Sequence, residues 1–72
     1  MNKTEIGLNA GRIWYLLSDN AKWRYETLKE RSELGDRELG AALGWLARED
    51  KIEIHLEGDE LYVSLGANVY IG

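Results

Sequence analysis

The sequence predicts an α+β domain in which three helices precede a β-hairpin. Three observations carry this. Apolar residues recur at helical spacing through residues 2–50. After Lys51 the period drops to two, with Ile52, Ile54 and Leu56, then Leu61, Val63 and Leu65, alternating with polar side chains. Gly58-Asp59 separates those two runs as a turn dipeptide.

The first helix is expected over residues 2–19. Ile6, Ala10, Ile13 and Leu17 form its apolar stripe, with Leu16 beside them. Asn2 and Glu5 have the spacing of a capping box, in which each side chain satisfies a free backbone N–H. Gly7 and Gly11 lie four apart on one face. Each glycine costs a helix roughly 1 kcal/mol against alanine, so close approach by a neighbouring helix is the expected return. Trp14 and Tyr15 flank the stripe, one capping the core and the other half exposed. Residues 19–22 read as a loop, and Trp23 is a candidate for a very short strand after it.

The second helix spans residues 25–32, with Tyr25 and Leu28 pointing inward. A turn follows to Gly35, anchored by Leu34. Gly35 suits the N-cap of the third helix, with Glu38 at N3, and Asp36 and Glu38 favour the positive end of the helix dipole. The third helix covers residues 36–50 and faces the core with Leu39, Ala42, Leu43 and Leu46. The hairpin closes the fold: Ile52, Ile54 and Leu56 are expected inside, and Glu53, His55 and Glu57 outside. Gly66-Ala67 ends the second strand. Val69, Tyr70 and Ile71 are candidates for a final short strand. Helix, short strand, helix, helix and hairpin, in this order, make a winged helix-turn-helix. Seventy-two residues without repeats or linkers read as one domain, 1–72.

The motif Ile6-Gly7, Asn9-Ala10-Gly11, Ile13-Trp14, followed by Leu43-Gly44-Trp45-Leu46-Ala47-Arg48-Glu49 and Lys51-Ile52, resembles a family of small stand-alone prokaryotic winged helix-turn-helix proteins catalogued as a domain of unknown function. The resemblance covers nearly the whole chain. It implies the fold and, by analogy, DNA binding or transcription regulation; it implies no catalytic residues. Two positions depart from common helix-turn-helix habit. Glu33 precedes Leu34 where the turn often has glycine, and Gly35 stands where the third helix often opens on Ser or Thr.

Composition narrows the function. No cysteine rules out disulfides and thiolate metal sites and fits a reducing cytoplasm. No run is long enough for a membrane span, and residues 1–5 lack the features of a signal peptide. The single histidine, His55, is expected on the solvent face of a strand. The thirteen acids are scattered. Glu57, Asp59 and Glu60 gather at the wing tip, which reads as a solvated turn rather than a cation site. A non-enzyme without cofactor or metal is expected.

Two functional readings compete. Double-stranded DNA as partner is supported by fold and resemblance, with Arg37 and Arg48 on the outward face of the third helix. Lys22, Arg24, Lys29 and Arg31 lie before and along the second helix, diluted by Glu26 and Glu30. Against it stand a net charge of −4, a pI of about 4.9 and an acidic wing. The alternative is a protein-interaction module. Trp45, the small-residue row Gly40, Ala41 and Gly44, and Val69, Tyr70 and Ile71 are its candidate surface. For Gly40, Ala41 and Gly44, internal packing against Gly7 and Gly11 is the favoured expectation, and for Trp45 burial is. A monomer is expected first, and a weak homodimer through the last strand or the first helix second.

Overall fold

The computed structural model describes residues 1–19 and 21–66. The expected final strand at Val69, Tyr70 and Ile71 lies outside the described residues. Helix α1 spans Lys3–Leu16, α2 Tyr25–Ser32 and α3 Asp36–Arg48; strands β1, β2 and β3 span Trp23–Arg24, Ile52–Glu57 and Glu60–Leu65. The strands form an antiparallel sheet in the order β1-β3-β2. Three helices and this sheet are an α+β winged helix-turn-helix, as the period change at Lys51 predicts. The strand expected at Trp23 is present, paired with Val63.

The starts of α1 and α3 each have a local cause. The Glu5 N–H donates to Asn2 Oδ1 at 2.8 Å, satisfying one of the four donors that a helix N-terminus leaves open. Replacing Asn2 with Ala should cost about 1 kcal/mol, read as a lower urea midpoint with an unchanged m-value. At α3 the Gly35 N–H donates to Glu38 Oε1 at 3.0 Å, so only the glutamate half of that cap exists. Helix α1 is shorter than expected: residues 17–19 tighten into a 3-10 turn. Asp19 Oδ1 then accepts from the Ala21 N–H at 2.9 Å and the Trp23 indole at 3.1 Å. These donors hold the Asp19 carboxyl below its ordinary value, the Ala21 amide first.

Helix α3 also ends two residues early, at Arg48, because Asp50 turns to a φ of 58°. Glu33 takes a φ of 60° as the C-cap of α2. The missing turn glycine is thus a real cost: left-handed backbone costs a non-glycine residue about 1–2 kcal/mol, against about 0.5–1 kcal/mol of extra chain entropy for glycine. Glu33→Gly should therefore stabilise the fold by about 0.5–1 kcal/mol, measured by chemical denaturation.

One buried cluster joins the elements. Ala10, Ile13 and Leu17 of the first segment meet Leu28, Leu34, Leu39, Ala42, Leu43 and Leu46, and the sheet contributes Ile52 and Val63. Trp14, Trp23, Tyr25, Leu61 and Leu65 pack against its margin. Ile54 and Leu56 do not join it. They share a sheet face with Ile52, yet they are 46% and 73% exposed. The strand period is as expected; what differs is that β2 is an edge strand among the described residues, with Ile54 and Leu56 left uncovered.

Candidate nucleic-acid interface

Helix α3 turns Leu39, Ala42, Leu43 and Leu46 inward. At 100° per residue this leaves Arg37, Ala41, Gly44 and Arg48 in one outward row. Arg37, Gly44 and Arg48 are exposed and Ala41 is half-buried. Eleven residues separate the arginines, or about 16 Å along the axis at 1.5 Å per residue. No hydrogen bond or salt bridge among the described residues engages either guanidinium. Glu49, its neighbour in sequence, does not pair with Arg48.

The internal reading of the small-residue row is overturned. A Cβ placed on Gly40 or Gly44 would meet nothing within 4 Å, and the same is true of Gly11. Of these four glycines only Gly7 has a close neighbour, the Trp45 ring at 3.7 Å. The first helix therefore receives an indole, not a glycine row. Trp45 is also less buried than expected: it lies across Gly7 and keeps 38% of its surface exposed.

The bases around α2 are mostly engaged. Lys22 Nζ lies 2.6 Å from Glu57 Oε2 and 4.8 Å above the Tyr62 ring. Arg24 meets the Glu60 carboxylate through Nη2 and Nε at 3.0–3.3 Å. The β1–β3 register brings these pairs together by setting Arg24 beside Tyr62. Two acids of the wing are thus neutralised within the chain, which corrects the reading of the wing as a free acidic tip. The same pairs also engage two cations that sequence assigns to phosphate. Lys22, Arg24 and Arg31 line a shallow hollow with Trp23 and Thr27.

Lys29 joins a third pair. Its Nζ lies 3.1 Å from Asp36 Oδ2, and the Tyr25 hydroxyl donates to Asp36 Oδ1 at 2.6 Å. The Tyr25 bond, then Lys29, hold the Asp36 carboxyl below its ordinary value of 3.8. Burial, then the bond to Asp36, push the Tyr25 hydroxyl up to about 12. A depressed folded-state carboxyl stabilises above its unfolded value, and that contribution is lost as pH falls through the lowered one. Tyr25→Phe should move the Asp36 titration up toward 3.8, followed by carboxyl NMR.

His55 sits half-buried on the outer sheet face, Nε2 3.3 Å from Ser64 Oγ and 3.6 Å from Glu53. Among the described residues no three His or acidic side chains are placed to hold a metal. No helix among them is long and apolar enough to cross a membrane.

Comparison with known proteins agrees with the fold. The family model described as "Winged helix-turn-helix domain (DUF2582)" matches residues 1–65. The solution NMR structure of protein BT2368 from Bacteroides thetaiotaomicron superposes with a TM-score of 0.79 at 29% identity, covering 90% of this chain and 79% of that one. HlyU from Vibrio cholerae N16961 superposes with a TM-score of 0.73 at 24% identity, covering 94% and 84%. At that identity the second likeness shows the fold alone. No curated protein matches.

Proposed function

Because the chain belongs to the DUF2582 family of winged helix-turn-helix domains, we propose that it is a cytoplasmic, non-enzymatic DNA-binding domain of the transcription-regulatory kind. The observation that carries this is the outward row of α3: two unengaged arginines at its ends, small residues between them and no acid within it. Gly40 and Gly44 let the helix backbone approach a groove floor closely. Arg37 lies at the helix start, the end that reaches base edges in this motif, and can address guanine O6 and N7. Arg48 and Arg31 serve phosphates. With so few free bases the binding is electrostatically modest. Two or three phosphate contacts give a salt slope of about −2 to −3.

Titrating a labelled random duplex at several salt concentrations tests this. Binding that weakens with salt along that slope is expected. No binding at low salt, with tens of micromolar protein, removes the reading.

A protein-interaction module remains the second reading, favoured by one observation. Leu8 and Tyr15, seven residues apart on one face of α1, are 67% and 76% exposed, and Trp45 of α3 is 38% exposed. Exposed tryptophan and tyrosine are enriched at binding hot spots. This reading predicts that Trp45→Ala abolishes partner capture and leaves DNA affinity unchanged.

A further inference from the structure

We infer that the outer edge of β2, unpaired among the described residues, is a docking site for a second copy of this chain, pairing β2 with β2 antiparallel about a two-fold axis at Ile54. The inference does not rest on DNA binding. It rests on backbone pattern, exposure and charge, which point the same way.

The backbone comes first. The Gly66 N–H donates to the Lys51 carbonyl at 2.9 Å. In an antiparallel ladder, hydrogen-bonded pairs alternate with non-bonded ones. The pairs Glu53–Ser64, His55–Tyr62 and Glu57–Glu60 therefore bond across to β3. Ile52, Ile54 and Leu56 turn their N–H and C=O groups away from β3, toward an edge with no neighbour among the described residues. Edge strands of this kind are normally blunted by proline, a bulge or an inward-pointing charge. This one has none: the chain lacks proline, the β2–β3 register is unbroken, and the inward positions are Ile52, Ile54 and Leu56.

A two-fold axis at Ile54 then sets Ile54 against itself and Ile52 against Leu56 of the copy. These are the residues whose backbone groups are free, so the register forms hydrogen-bonded pairs. On the same face it covers the 46% and 73% exposed side chains of Ile54 and Leu56. On the other face it sets Glu53 against His55 of the copy, and Lys51 against Glu57. No cross-strand pair on that face sets like charges against each other, although Glu57 also meets Lys22 and Lys51 lies over the Trp14 ring within each chain. Sliding the copy by two residues destroys this, bringing Glu53 against Glu57 in one direction and against Glu53 in the other. Charge thus selects one register out of those the backbone permits. The product is a six-stranded sheet, β1-β3-β2 continued into the same strands of the copy in reverse. The contact is well short of the roughly 800 Å² per partner of a standard interface, so the association is weak and concentration-dependent.

Sedimentation equilibrium in DNA-free buffer, from about 1 µM to 1 mM, should show the 8.2 kDa chain approaching twice its mass. Leu56→Lys should return it to monomer with an unchanged circular dichroism spectrum. Glu53→Lys should weaken association at least tenfold, and the exchange Glu53→His with His55→Glu should restore it. The chain has no cysteine, which allows a direct geometric check. Hydrogen-bonded antiparallel pairs place Cα atoms about 5.5 Å apart, inside the disulfide range. Ile54→Cys should therefore give a covalent dimer under mild oxidant, and Leu8→Cys, which is more exposed, should not. A chain that stays monomeric at 1 mM overturns the inference. So does a dimer that survives Leu56→Lys, or one that crosslinks as well through Leu8→Cys.

Discussion

Leu39→Ala is expected to lower the melting temperature by roughly 10–30 °C, the largest stability effect of any single change considered. Leu39 is fully buried in the cluster shared by the helices and the sheet. Truncating a buried leucine costs about 2–5 kcal/mol, the lost transfer energy plus the cavity left behind. At 72 residues the whole fold is held by only about 4–10 kcal/mol. For a domain this small each 1 kcal/mol shifts the midpoint by roughly 4–8 °C. Leu56→Ala is the matched control. The same chemical change at a 73% exposed site should stay within about 0.5 kcal/mol. Thermal unfolding of the two variants side by side reads both. Equal losses would mean that the wing strand packs inside after all.

Arg37→Glu combined with Arg48→Glu is expected to reduce duplex affinity about 100-fold or more at low salt, with no change in stability beyond about 0.5 kcal/mol. Neither arginine makes a structural bond among the described residues, so little folding energy is at stake. Arg48→Glu removes one counterion-releasing phosphate contact, and Arg37→Glu removes the base contact and sets a carboxylate in the groove. The salt slope should shrink by roughly 1, at about 0.9 per lost phosphate contact. Lys22→Ala with Arg24→Ala makes the opposite point. Those cations are engaged by Glu57 and Glu60, so removing them also frees two acids. Fluorescence anisotropy across a salt series distinguishes the two double variants.

The order of elements was legible because its signals are local. The stripe through Ile6, Ala10, Ile13 and Leu17, the Asn2 cap, and the switch to alternation after Lys51 need no tertiary knowledge. Glu33 was legible as a departure, and its left-handed φ gives the departure a physical cost. The exposure of Ile54 and Leu56 was not legible. A strand's period tells which residues share a face, and only the extent of the helix layer tells whether that face is covered. The pairs Lys22–Glu57 and Arg24–Glu60 join residues 35 and 36 apart, and only the β1–β3 register reveals them. Matching glycine rows on two helices invite an internal contact. Yet 100° per residue already turns Gly44 away from Leu39, Leu43 and Leu46, and leaves Gly40 at the margin of that stripe. Trp45 then fills the place a second backbone would have taken, because its indole reaches across Gly7.

The most direct test of the proposed groove-facing role of α3 is a two-dimensional amide NMR titration with duplex DNA at low salt. Arg37, Gly40, Ala41, Gly44 and Arg48 should shift together and in proportion to bound DNA, the two glycine amides giving isolated signals to follow. Shifts confined to β2 or to α1, with those of α3 unmoved, would contradict it.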